Sequence, residues 1–150
     1  MISAKTLLCG FVAMGIVLCA PGVRAEQEVV LVAAADSPLE TLDSLELRKV
    51  YLGVPVTRNG EAVVGLRNTS DEQLEQIFLQ TIVAMSEKSY ARRMLSLTLR
   101  FGIPRAPAYD DVQKLREALL ANPYSISYMW RDAAAPLSGL KILKVLWRSS

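Results

Sequence analysis

The stretch EVVLVAAADSPLETLDSLELRKVYLG, residues 28–53, decides the fold class. Glu28 to Ala34 is a β-branched apolar run, short enough for a buried strand. Asp36-Ser37-Pro38 ends that run in a turn. Asp43, with Glu46 three residues on, forms a capping box and opens a short helix through Leu47, Val50, Tyr51 and Leu52. Gly53 closes the helix, and Pro55 prevents its continuation.

The same alternation continues downstream. Asn59-Gly60 is a hairpin-type turn between Val54-Pro55-Val56 and a better strand, Glu61 to Leu66. Ser70 with Gln73 makes a second capping box, starting a helix with Leu74, Ile77, Phe78, Ile82 and Met85 on its apolar face. A further helix over 86–100 carries Tyr90, Met94, Leu97 and Phe101 on one face, and Gly102 and Pro104 stop it. After a Pro-rich link, Asp110 with Gln113 opens a helix bearing Val112, Leu115, Leu119 and Leu120. Tyr124 to Met129 and Lys141 to Trp147 read as strands. Strands alternating with helices predict an α/β domain of two or three layers.

Upstream, Lys5 is followed by no charge until Arg24, with a Leu, Ala, Val, Gly and Cys-rich run between them. Pro21 and Gly22 then break any helix, and Ala25 puts a small residue at the junction. That is the layout of a secretory signal peptide, predicted to leave a mature chain of residues 26–150. A retained anchor is the competing reading, but the apolar core is short for a span. Leu18 stands before Cys19 where a lipidation motif wants a small residue, so no lipid anchor is expected.

The 150 residues hold 17 Lys+Arg against 15 Asp+Glu, two cysteines and no histidine. Lys5 and Arg24 account for the whole excess, so the predicted mature chain is electrically balanced and lacks a nucleic-acid footprint. Both cysteines fall in the predicted signal, leaving an exported domain held by its core alone. The absence of imidazole removes Ser-His-Asp and Cys-His nucleophiles and most zinc sites. No P-loop, dinucleotide fingerprint or zinc spacing appears. Asp110-Asp111 suits a helix cap, Arg92-Arg93 a solvated face, and Trp130 and Trp147 packing at strand ends. The reading is therefore a non-enzyme without metal or cofactor.

One constellation suggests binding. Arg67-Asn68-Thr69-Ser70 leaves a strand and enters a helix N-terminus, where backbone N–H groups and a guanidinium suit an anion. Ser37 lies in another strand-to-helix turn, and ligands of open α/β sheets bind outside strand carboxyl ends. The candidate oxyanion ligands are thus Ser37, Arg67, Thr69 and Ser70. Against them, Asp71 and Glu72 put carboxylates in the first helical turn, where they already satisfy the dipole.

Leu45 to Gly53, the Asn59-Gly60 turn, the strand ending at Arg67, and Asn122-Pro123-Tyr124-Ser125-Ile126-Ser127-Tyr128 occur in an order that resembles one family. It is the phosphate-binding periplasmic components of ABC transporters, with the type 2 periplasmic-binding-protein fold. Those proteins show an "IFLG"-like helix end, a strand ending in Arg before a helix, and an "NPxxIGY"-like strand. The resemblance implies a single periplasmic-binding-protein-like lobe, a mixed sheet flanked by helices. It also implies a periplasmic location, a phosphate-like ligand and delivery to an ABC permease. The chain departs from the family where chemistry resides. Arg67 matches the Arg of an R-S-D-G-S-G-T loop, but Asp71-Glu72-Gln73 replace its hydroxyl-Gly-hydroxyl end. Arg58 stands where a Trp is common, and the length suits one lobe of a two-lobed receptor. A lobe that has lost its ligand and docks on an envelope or sensor protein is the alternative implied by these departures.

Overall fold

The computed structural model describes residues 26–150 together with Gly22. The predicted signal peptide therefore lies outside the described residues, Gly22 excepted.

Strand β1 (Glu28–Ala34) is the axis of the domain. It pairs antiparallel with β7 (Ser125–Trp130) on one side and with β8 (Leu140–Arg148) on the other. A short strand, β4 (Val64–Gly65), adds to the far side of β7 in parallel, giving the order β4-β7-β1-β8 and a mixed sheet. From Val29 to Ala34 every residue of β1 is buried, so both faces of the sheet must be covered. Val29, Leu31 and Ala33 pack with α1 (Ser44–Tyr51), α2 (Glu72–Ile77) and α3 (Glu87–Phe101). Val30 and Val32 pack instead with Leu115 and Leu119 of α4 (Val112–Ala121) and Ala134 of α5 (Arg131–Ala134). The α/β lobe is thus three layers.

Local signals account for the helix ends. The Asp43–Glu46 capping box forms in both directions, at 2.8 and 3.1 Å, and starts α1. Arg58 pairs with Glu46 from the hairpin, and that hydrogen bond leads the lowering of the Glu46 carboxyl below its ordinary pKa. Asn59 and Gly60 both take positive φ (54° and 79°), as a tight hairpin turn requires.

Several elements differ from the sequence reading. The hairpin pairs β2 (Thr57–Arg58) with β3 (Glu61–Ala62), one step beyond the Val54–Val56 arm. Glu61 to Leu66 is not one strand, because its N–H groups go to three partners. Val63 donates to Val56, Val64 and Leu66 to the β7 side at Tyr124 and Ile126, and Arg67 to Pro107. The last step forms β5 (Arg67–Asn68) against β6 (Ala108–Tyr109), which the Pro-rich link concealed. Two caps sit one residue later than expected. Asp71 rather than Ser70 accepts from the Leu74 amide at 2.8 Å, and Asp111 rather than Asp110 accepts from Gln113 and Lys114. A carboxylate accepts more strongly from an N–H than a hydroxyl does, and Ser70 is held elsewhere. Helix α2 runs on as a π-helical segment, Phe78–Val83, ending at Ala84 with φ 52°. Phe101 is exposed rather than on the buried face of α3, because Gly102 turns the chain. Ile103 then takes the place beside Met94, Leu97 and Gly53.

Gly65 shows how tightly α1 sits on the sheet. A Cβ there would lie 2.8 Å from Tyr51 Cε1 and 2.9 Å from Val50 Cγ1. Gly65→Ala is expected to destabilise the protein by about 2 kcal/mol through overpacking, measured as a lower urea midpoint with unchanged slope.

Candidate functional site

The strand that carries Gly65 continues into the candidate loop, and successive residues face opposite helical layers: Gly65 and Arg67 meet the α1–α3 side, whereas Leu66 packs toward α4. Leu66 contributes its carbonyl, which accepts from the hydroxyls of both Tyr51 and Ser127 at 2.9 Å. Arg67 follows, only 4% exposed. Its guanidinium carbon lies 5.2 Å from the Phe78 ring centroid and 5.3 Å from that of Tyr90, so two aromatic faces take the charge. Its Nη2 donates to Glu75 Oε1 at 2.5 Å, one turn into α2. Its Nε is buried without a partner, as is the nearby hydroxyl of Tyr128.

Asn68 fixes the next step. It is buried, and its amide Nδ2 donates to the Tyr128 carbonyl at 3.0 Å. Its Oδ1 accepts from the Ser70 amide at 3.1 Å and from the Ser70 hydroxyl at 2.6 Å. This local turn is what keeps Ser70 from capping α2. Thr69 is half-buried, donating its amide to the Tyr109 carbonyl, and Ser70 is exposed. At the helix start the Asp71 carboxylate occupies the position that an anion would seek.

Around Arg67 the aromatic block is close-packed. Phe78 stacks on Tyr128 at 4.9 Å and meets Tyr51 and Tyr90 edge-on at 5.1 and 5.6 Å. Burial pushes the hydroxyls of Tyr51, Tyr90 and Tyr128 above the ordinary phenol range, so they remain neutral hydrogen-bonding groups at physiological pH.

The four predicted ligands do not converge. Arg67, Thr69 and Ser70 follow a strand parallel to β7 and emerge at the β7 carboxyl end, where Asn68 meets Tyr128. Ser37 follows β1, which runs antiparallel to β7, and so lies at the opposite end of the sheet. There its hydroxyl donates to the Pro123 carbonyl at 2.5 Å and accepts from the Leu39 amide at 3.2 Å. The antiparallel pairing of β1 is invisible in a strand-to-helix alternation, which by itself suggests parallel strands.

Beside the loop opens a cleft of about 430 Å³, lined by Glu28, Asp71, Gln73, Trp130, Arg131 and Asp132 among others. Its Arg131 is committed to Glu28, which also holds Arg148 at 2.7 Å. Sequence reasoning missed this cleft because α5, which supplies Arg131 and Asp132, gave no helical periodicity in four residues. Among the described residues no group of three or more acidic or cysteine side chains is placed to hold a metal ion. Nor, among them, is any helix long and apolar enough to cross a membrane.

No protein-family model matches the chain, and no curated protein matches it in sequence. Solved structures do share its fold. An ABC-type phosphate transport receptor from Vibrio cholerae aligns with a TM-score of 0.57 at 10% identity, over 80% of this chain and 46% of the receptor. PstS from Borrelia burgdorferi aligns with a TM-score of 0.58 at 13% identity, over 80% and 47%. A possible phosphate binding protein from Planctomyces limnophilus DSM 3776 gives 0.55 at 16%, over 80% and 42%. The chain therefore has the fold of part of a phosphate-receptor-type binding protein and spans less than half the length of those structures.

Arg67→Ala is expected to cost about 3 kcal/mol, because it opens a void between two rings and leaves Glu75 unpaired. Ser70→Ala, at an exposed position, is expected to change stability by about 0.5 kcal/mol or less. Urea unfolding of the two variants measures the contrast.

Proposed function

We propose that this protein is an exported, single-lobe solute-binding protein that takes phosphate or a related oxyanion in connection with ABC-type uptake. The observation that supports this reading is the placement of the Arg67–Ser70 loop at the edge of a lobe with the fold of phosphate receptors. Thr69 and Ser70 supply hydroxyls there, and Arg67 supplies the charge. In the structure that charge is neutralised by Glu75, whose side chain is 31% exposed while Arg67 is enclosed. An anion at the loop must therefore displace Glu75 from the guanidinium, and its affinity is the difference between the two pairings. Ser37 stands outside this site and keeps its turn-holding role.

A second reading is favoured by the charge geometry. With Arg67 paired and Asp71 on the α2 amides, the loop presents no free cation, which suits a lobe that no longer binds an anion and docks on another envelope protein.

Calorimetric titration with phosphate at low salt, with sulfate and chloride as controls, separates the two. On the first reading the protein gives saturable, phosphate-selective heat, and Glu75→Gln binds phosphate about tenfold more tightly because the competing carboxylate is gone. No heat above the controls in either protein would reject oxyanion binding and leave the docking module.

A further inference from the structure

Helix α3 presents to solvent a surface that neither the core nor the loop site uses. Its fifteen residues contain four basic side chains, Lys88, Arg92, Arg93 and Arg100, and a single acid, Glu87. Tyr90 and Met94 face the core. At 3.6 residues per turn, Lys88, Arg92, Leu95 and Leu99 fall on one outward stripe, with Arg93 and Arg100 along its flank. Leu95 is 59% exposed and Leu99 77%. Among the described residues none of the four cations enters an ion pair, whereas Arg58, Arg67, Arg131 and Arg148 all do.

Two large apolar side chains exposed on one stripe with unpaired cations suit a surface that offers both negative charge and an apolar layer. We propose that the outer face of α3 seats on an anionic lipid surface. Long basic side chains reach the headgroup phosphates while Leu95 and Leu99 sit deeper, at the acyl boundary. A fluid interface asks for no shape complementarity, so it suits the convex side of a single helix. A folded protein partner would need a matching groove with acids on both sides of an apolar floor. The seating is peripheral, and it is independent of any ligand at the Arg67 loop.

Flotation of the full chain with phosphatidylcholine vesicles, and with vesicles mixing in phosphatidylglycerol, tests the proposal. Each basic residue near an anionic surface contributes roughly fivefold to partition. The expected result is binding to the mixed vesicles that weakens as salt rises. Arg92→Glu with Arg93→Glu is expected to lower that partition by at least about 25-fold. Leu95→Ser with Leu99→Ser should lower it about tenfold or more at fixed salt. Flotation of each protein with phosphatidylcholine vesicles alone sets the contribution of residues 1–25, which is subtracted before the variants are compared, and circular dichroism checks that each is folded. Failure to float with mixed vesicles, or equal flotation of the folded variants, would overturn the proposal. Loss in the charge variant alone would reduce the face to a diffuse electrostatic contact and overturn the seating. Retention on polyglutamate without vesicle binding would assign the face to an acidic protein and also overturn it.

Discussion

The guanidinium of Arg67, held between the rings of Phe78 and Tyr90 and tied to Glu75, is the contact on which the layer of α1, α2 and α3 depends. It joins the strand that enters the loop, the start of α2, the π-helical turn and α3 in one place. A charge so enclosed is tolerable only because two aromatic faces and a carboxylate replace water. Two of the three surrounding tyrosine hydroxyls are satisfied by backbone, with Tyr90 donating to the Tyr51 carbonyl at 3.1 Å and Tyr51 to the Leu66 carbonyl. Aromatic packing, backbone acceptors and one ion pair thus fix the geometry of the loop from behind.

That arrangement governs what the loop can offer a ligand. The chain has the fold of phosphate-receptor-type proteins over less than half their length. Its loop sits at the carboxyl end of β7, yet the arginine in it faces inward. The helix that follows carries Asp71 on its free amides, so the usual attraction of a helix start for anions is already answered. The proposed oxyanion binding would be a competition between Glu75 and the ligand for one guanidinium. Within the Arg67–Glu75 pair it is Glu75 whose charge is partly open to water, which makes it the side that gives way.

Much of this architecture was legible from residues alone, and the failures have physical causes. The run from Glu28 to Ala34, the Asp43–Glu46 box and the Asn59-Gly60 turn each form as read, because each is decided by neighbours in sequence. The caps at Ser70 and Asp110 moved by one residue, since Asp71 and Asp111 offered stronger acceptors next door. The stretch from Glu61 to Leu66 breaks up because it leaves its hairpin partner at Val56 for partners far away in sequence, at Tyr124 and Ile126. The inward turn of Arg67 was likewise unreadable: it depends on Phe78 and Tyr90, which a helical wheel places in the core without saying what they enclose. Ser37 was grouped with the loop only because the antiparallel setting of β1 leaves no mark in the order of elements.

The central claim is that Arg67 is an interior group. Solvent exchange of the guanidinium Nε–H protons, followed by NMR in arginine-labelled protein, reads this directly. Arg67 is expected to show a slowly exchanging Nε–H set apart from those of the exposed Arg92 and Arg93. Exchange as fast as theirs would show that the guanidinium stands in water, and would contradict the account.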